Sequence, residues 1–301
     1  MSKAVFENLR ALSCERNMLN EKRLYELSEL AHLASRDIRA GKISLESPYA
    51  FADALSTLKR QEEENTAAPS AYGALLKKTN ALSHRWDAAA FSLFLSGETE
   101  EIPEAIFSPF SKKAEKRRSA RIAYVRSPFA EEAYGKVAEL LKDTSVLYVG
   151  SAEEACAAVS ASEADFALLP VSYGSDARLS AIDKLVLRYR MYIAATVSSS
   201  QGEGKEALLA LFALRSSPAI VTEKRCLSLA IVANSYNDAS ELLSVLSLFG
   251  FALTECNFTQ LEYGRVSVRV TLGGDGDDKA LWFFLALSAC DFTLLGSYYH
   301  I

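Results

Sequence analysis

The chain is poor in the residues and patterns that mark specialised protein classes. Its five cysteines (Cys14, Cys156, Cys226, Cys256 and Cys290) are odd in number and never adopt CxxC spacing. That excludes a paired disulfide framework or zinc knuckle and suits buried, reduced thiols. The three histidines, His32, His84 and His300, are too scattered to suggest a Ser-His-Asp arrangement or a metal site, and His300 reads as part of a frayed end. Gly273-Gly274-Asp275-Gly276 lacks the GxGxxG spacing of a phosphate loop and reads as a connection between elements, so no cofactor is implied. No apolar run approaches the roughly 18 residues of a membrane span. The N-terminus has no signal-peptide core, so a cytoplasmic location is expected. A net charge of −5 and a pI near 5.5 leave no basic balance for nucleic acid or an anionic membrane. The one basic run, between Lys112 and Arg121, reads as a solvated linker.

What is present is enough apolar material, 50% of 301 residues, for one large core or several small ones. Residues 1–97 read as a helical domain. Leu9, Leu12, Leu19, Leu27, Leu30, Ala34 and Ile38 recur at helical spacing until Gly41 ends a long first helix. Ser47-Pro48 supplies an N-cap and a first-turn proline for a second helix to about Arg60, and a third runs from Leu75 to Gly97. Three helices with one very long member cannot close a core alone, so a partner subunit is expected to cover the long helix. After a linker at 98–120, residues 121–217 alternate short apolar strands with helices, the pattern of a parallel or mixed α/β sheet. Its strands are expected at 121–125, 146–149, 166–169, 192–197 and 207–214, with Ser198–Gly204 as a loop. Residues 224–301 follow a βαββαβ order, which is ferredoxin-like.

This order of modules resembles the bifunctional chorismate mutase–prephenate dehydratase family of phenylalanine biosynthesis. The residues that carry the resemblance are Arg121-Ile122-Ala123-Tyr124-Val125 with Phe129 and Glu131-Glu132-Ala133, the segment Glu163–Val171, Leu19-Asn20-Glu21-Lys22, and the ending Leu295-Gly296-Ser297-Tyr298. It implies a helical chorismate-mutase-like module, a truncated, periplasmic-binding-like dehydratase module and a C-terminal regulatory module of the ACT type. It also implies an aromatic metabolite or amino acid as ligand, and a homodimer formed through the helical and ACT-like modules.

The sequence departs from that family where chemistry is concentrated. A mutase cleft grips a dicarboxylate with arginines and a lysine. The family pattern instead puts Ser13, Leu30 and Gly41 at cation positions, leaving Arg16, Arg36, Arg39 and Lys42 as candidate catalytic cations nearby. The family's glycine-containing loop is replaced by Arg126-Ser127-Pro128-Phe129, where Arg126 restores a positive charge. The polar triplet after the proline-ended strand is Ser172-Tyr173-Gly174, so Ser172 and Tyr173 are candidate ligand hydroxyls. Ala210-Leu211-Phe212 replaces the Thr-Arg-Phe strand, and about nine residues between Val197 and Ala207 replace a second lobe. Thr196, with Ser198-Ser199-Ser200, offers hydroxyls to an anion or simply forms the short loop. Asn237 and Asp238 cap a helix or cradle an ammonium group.

Three readings stay open from sequence. The first is a catalytically impaired homologue that senses a ligand. The second is an active mutase or dehydratase with a divergent site, and the third a dimeric structural or interaction protein.

Overall fold

The structure is a computed structural model. It describes residues 3–46, 50–55, 57, 84–99, 119–141, 143–174, 177–178, 180–201, 205–214, 225–288 and 291–301, with side chains from residue 20 onward except at 177–178 and 180. Candidate Arg16, the Ser47-Pro48 cap and most of the 98–120 linker lie outside the described residues or side chains.

The first helix, α1 (Lys3–Arg39), ends where predicted, with Gly41 at φ +72° just beyond it. Only glycine adopts that conformation at no steric cost. Residues 50–55 are helical, and α2 spans Arg85–Glu98. The α/β half then runs β1 (Ala120–Val125), α3 (Pro128–Leu141), β2 (Thr144–Val149), α4 (Ala152–Ser160), β3 (Phe166–Tyr173), the two-residue β4 (Ala177–Arg178), α5 (Ser180–Arg188), β5 (Tyr192–Ser200) and β6 (Glu206–Ala213). The C-terminal half is β7 (Arg225–Ala233), α6 (Tyr236–Leu246), β8 (Ala252–Gln260), β9 (Val266–Gly273), α7 (Asp278–Leu287) and β10 (Asp291–His300).

The ten strands of the described residues join one sheet in the order β2-β1-β3-β6-β5-β10-β7-β9-β8, with β4 beside β3. Strands β2, β1 and β3 are parallel, and β6 turns antiparallel between β3 and β5. Strands β10, β7, β9 and β8 are mutually antiparallel, and their order completes the ferredoxin-like pattern. The halves meet where β10 runs parallel to β5, pairing Tyr299 with Ala195 and His300 with Thr196. Gly296 is required beside this seam: a Cβ there would stand 2.6 Å from the Ile193 carbonyl oxygen.

Strand alternation assigns the faces. On one face, Leu227, Leu229, Ile231, Val266, Val268 and Val270 meet α6 and α7, while α3 covers Ile122, Tyr124, Leu209 and Leu211. On the other face, α4 and α5 cover Ala123, Leu169, Ala210 and Phe212, and this cluster extends to Tyr298 and Cys226. Beyond it, no helix among the described residues covers the opposite face of β7–β9.

Three expectations need correction. The described part of the long helix, from residue 20 onward, finds its cover in its own chain. Leu27, Leu30, Ala34 and Ile38 are buried in the same cluster as α2, α6 and α7, so the N-terminal helices form a third layer on the C-terminal half of their own chain. Polar ties hold that layer: Arg85 pairs with Asp238, and the Lys279 ammonium donates to the Thr99 carbonyl at 2.9 Å. Secondly, Ser198-Ser199-Ser200 belong to β5 and not to a loop. Glu132 clamps them, accepting from Ser199 Oγ at 2.8 Å and the Ser200 amide at 3.1 Å. The Ser199 hydroxyl chiefly holds the Glu132 pKa below its usual value; it outweighs desolvation, and Lys136 and the Ser200 amide add to it. Thirdly, His300 is not frayed: it ends β10 in register with Thr196.

Candidate functional site

The described residues enclose two contrasting hollows and a shallow neighbour. The first is the crevice at the carboxyl ends of β1 and β3, where open α/β sheets usually bind ligands. Its volume is about 190 Å³ and its walls include Val125, Phe129, Leu169, Pro170, Tyr173 and Ile182. The Phe129 and Tyr173 rings meet at 5.7 Å across it. No lysine or arginine is among its described lining residues. Arg126, at the end of β1, is exposed; its Nε donates to Glu131 at 3.2 Å and its guanidinium lies 5.4 Å from the centre of the Tyr148 ring. That arrangement points the charge along the surface. Tyr124 and Tyr148 also donate to Glu131, and burial above all raises the Tyr124 pKa, so its hydroxyl stays protonated.

The second hollow lies on the sheet face that α4 and α5 leave uncovered, spanning the seam between the halves. Its volume is about 720 Å³, within the range of small-molecule sites. One wall carries Ser172, Thr196 and Leu208 from the α/β half, and Tyr298 and His300 come from β10. The opposite wall carries Arg225, Cys226, Thr254, Glu255, Thr271 and the Gly273-Gly274-Asp275 turn. A third, shallow hollow of about 360 Å³ adjoins it beside Ser172 and Ser198–Ser200.

Hydroxyl groups line the large cavity in connected chains. Ser228 Oγ lies 2.8 Å from Tyr298 Oη and 3.0 Å from Thr271 Oγ1, and Thr271 donates to Glu255 Oε2 at 3.3 Å. Buried networks of this kind fix their members' positions because an unsatisfied partner is costly. Burial raises the Tyr298 pKa, which keeps that phenol protonated. Across the seam, His300 Nδ1 is 2.9 Å from Thr196 Oγ1 and Nε2 is 3.4 Å from Ser198 Oγ. The cavity's one arginine is already engaged: Arg225 pairs with Asp278 and donates to Ser297. Burial raises the Asp278 pKa; Arg225 pulls it down, and Asp277 and Asp275 add to the rise.

The candidates named from sequence divide accordingly. Ser172 and Thr196 line the large cavity, and Tyr173 lines the crevice. Asn237 is exposed on α6, whose N-cap is Ser235: its hydroxyl accepts from the Asp238 amide at 3.1 Å. Asp238 accepts from the Asn234 amide at 2.9 Å and from Arg85, in the manner of a capping box. Burial works to raise its pKa, but Arg85 and the Asn234 amide outweigh it and hold the carboxyl below its usual value. Arg36, Arg39 and Lys42 are exposed: Arg39 donates to the Glu98 carbonyl at 2.6 Å and Lys42 to Asp37 at 3.0 Å. None of the three lines a hollow described above. Among the described residues, no group of three His, Cys, Asp or Glu side chains could hold a metal ion, and no helix is long and apolar enough to cross a membrane.

No protein-family model matches the chain, and no curated protein matches it. Among solved structures it is similar to prephenate dehydratase from Streptococcus mutans, with a TM-score of 0.51 and 15% identity over 60% of this chain and 100% of that one. The fold is prephenate dehydratase-like. Two further similarities have lower TM-scores. Prephenate dehydratase from Arthrobacter aurescens in complex with L-Phe gives 0.48, at 12% identity over 60% of this chain and 89% of that one. GqqA, described as a novel type of quorum-quenching acylase, gives 0.47, at 17% identity over 59% and 94%.

Within this prephenate dehydratase-like fold, sequence reasoning missed Glu255, Thr271, Tyr298 and His300 as cavity residues, and Arg225 with them. A signal was present. Ser228 on β7, and Ser267, Arg269 and Thr271 on β9, lie on the face opposite the core, and polar residues at alternate positions mark a face that the main core does not cover. That the α/β half would supply the other wall depends on the β5–β10 pairing, which strand patterns do not encode.

Proposed function

We propose that this protein is a degenerate homologue of the bifunctional chorismate mutase–prephenate dehydratase, impaired in catalysis and acting as a ligand-sensing or regulatory protein. One observation carries the reading: the strand-end crevice is about 190 Å³, aliphatic and aromatic, and free of cations among its described lining residues. Prephenate and chorismate are dianions. Desolvating two carboxylates against such walls costs several kcal/mol per charge without compensating hydrogen bonds. The exposed positions of Arg36, Arg39 and Lys42 support the same conclusion for mutase chemistry, which needs cations that converge.

In this reading the large cavity takes the ligand. The N-terminal helices are a chorismate-mutase-like remnant recruited as a supporting layer, the βαββαβ unit is an ACT-like regulatory module, and the protein acts in the cytoplasm, with an aromatic metabolite or amino acid as its ligand class. The test is a coupled assay for both reactions on the purified full chain. Absence of turnover above the solution background supports the proposal. Turnover near 10 s⁻¹, the median for enzymes, overturns it in favour of an active enzyme with a divergent site.

A second reading, a dimeric interaction protein, is favoured by the edge strand β8. Leu253 and Phe258 are exposed on it and Tyr263 follows, 93% exposed, so this strand, at the sheet edge among the described residues, presents apolar side chains. Light scattering tests it: a concentration-independent monomer sinks this reading and leaves the first intact.

A further inference from the structure

The floor of the large cavity is built by strand register. Directly paired residues of neighbouring strands share a face. Across four strands one such rung reads Tyr298 on β10, Cys226 on β7, Gly273 on β9 and Ala252 on β8. All four line the cavity. Beyond the Tyr298 ring the rung carries only small side chains, so the cavity reaches down towards the backbone there. Gly273 is also constrained locally: a Cβ would stand 3.0 Å from Thr254 Cγ2. A strand glycine of this kind leaves room for a ligand to approach the main chain closely. Neighbouring strands lie roughly 4.8 Å apart, so the stretch from Cys226 to Ala252 measures about 10 Å, the long dimension of a fused bicyclic ring system.

The next rung carries Ser228, Thr271 and Glu255. Ser228 and Thr271 are buried, and their hydroxyls are engaged with Tyr298, with each other and with Glu255. Arg225 is held at the strand end by Asp278 and Ser297. Asp275 is exposed, on the turn that follows β9. Burial raises the Cys226 pKa and keeps its thiol protonated. The rung itself therefore presents no charge: it is a flat strip of backbone, methyl and thiol, bounded at one end by an aromatic ring. We infer that this cavity binds a flat, uncharged ligand with a fused-ring body, laid face-down on the Cys226–Gly273–Ala252 strip and edged by the Tyr298 ring. A hydroxyl or carbonyl on that body meets Ser172 and Thr196 on the opposite wall, the few placed polar groups that such pockets use for orientation. The inference rests on the reading that this cavity takes the ligand, and narrows its class. A free amino acid is excluded, because laying an ammonium or a carboxylate on the strip desolvates it without a partner.

The test titrates four probes calorimetrically into the full chain at neutral pH. 2-Naphthol is flat and neutral, 2-naphthoate and 2-naphthylmethylamine carry one charge of either sign, and 1-adamantanol is neutral but globular. The naphthol should bind, and each of the others at least tenfold more weakly. Ala252→Trp, at an exposed position on the strip, should block the naphthol while leaving the circular dichroism spectrum unchanged. The parent protein supplies a second readout. At mildly alkaline pH, saturating naphthol should slow iodoacetamide labelling of Cys226 several-fold, followed by peptide mass spectrometry. Cys256, which packs against the helix-covered face of the sheet, should label at an unchanged rate. Tighter binding of either charged naphthalene, adamantanol binding as tight as the naphthol's, or naphthol binding that survives Ala252→Trp overturns the inference. So does Cys226 labelling that naphthol leaves unchanged, or a naphthol Kd weaker than about 1 mM. None of these readouts bears on turnover of chorismate or prephenate, so this inference and the catalytic reading fail independently.

Discussion

The crevice and the cavity sit on one sheet, and α5 reaches from the first to a strand that walls the second, yet they have opposite character. Ile182 of α5 faces the crevice, and the next residue, Asp183, reaches Arg269 on β9. The crevice is at the topologically favoured end of parallel strands but has been filled by side chains: Phe129 and Tyr173 close it by ring contact. The cavity is at no conventional position. It arises because a ferredoxin-like half is joined edge to edge to an α/β half, and the helices of the second stop short of covering the first. Position in a fold thus marks where a ligand can bind, while the lining decides whether one does.

The contrast can be broken hardest at α5. Replacing Asp183 with Ala removes a carboxylate that pairs with Arg269, whose side chain is 11% exposed. Losing one member of such a pair costs about 3 kcal/mol. Urea denaturation should show that loss. Unchanged stability would mean that this pair does not tie α5 to β9.

The next effect is at the seam. Gly296→Ala forces a methyl group against the Ile193 backbone, and overpacking of this sort costs about 2 kcal/mol. Because Thr196 and His300 face each other across the same seam, ligand binding should suffer in parallel. A variant as stable as the parent would show that the halves are not held in this register.

At the crevice the expectation is smaller. Tyr173→Ala removes one aromatic contact at a position 41% exposed and should cost about 1 kcal/mol. Urea denaturation measures that cost, and an unchanged midpoint would show that the ring contact does not close the crevice.

The smallest effect is a pH dependence in the N-terminal layer. Asp238 is held below its ordinary pKa of 3.8 in the fold, so its ionisation favours the folded state at pH above 3.8. That contribution disappears as pH falls through the depressed value. Arg85→Met removes the cation partner. The stability gap between parent and variant should therefore be full at pH 5–7 and should narrow below 3.8. A gap independent of pH would assign Arg85 a packing role only.

Much of the secondary structure was legible in the sequence, because alternation and helical spacing are local. The strand expected at 121–125 runs from Ala120 to Val125, and the one expected at 207–214 runs from Glu206 to Ala213. The docking of α1 was not legible. Its apolar stripe at Leu27, Leu30, Ala34 and Ile38 required a cover, but nothing in the stripe says whether the cover lies in the same chain. The three serines after Val197 were illegible for another reason. Serine has weak strand preference, and the Glu132 carboxylate that holds Ser199 and Ser200 extended lies 67 and 68 residues away. Of the cavity lining, Ser172 and Thr196 were named from sequence because they lie near the ends of the strands expected at 166–169 and 192–197. Glu255 and Tyr298 were not, because their convergence follows from non-local pairing.

Prephenate consumption by the purified full chain, followed through formation of phenylpyruvate, tests the central claim most directly. The account predicts no rate above that of the buffer alone, since the crevice offers a dianion neither room nor positive charge. Saturable turnover that is abolished by filling the crevice, as in Ala130→Phe, would contradict it.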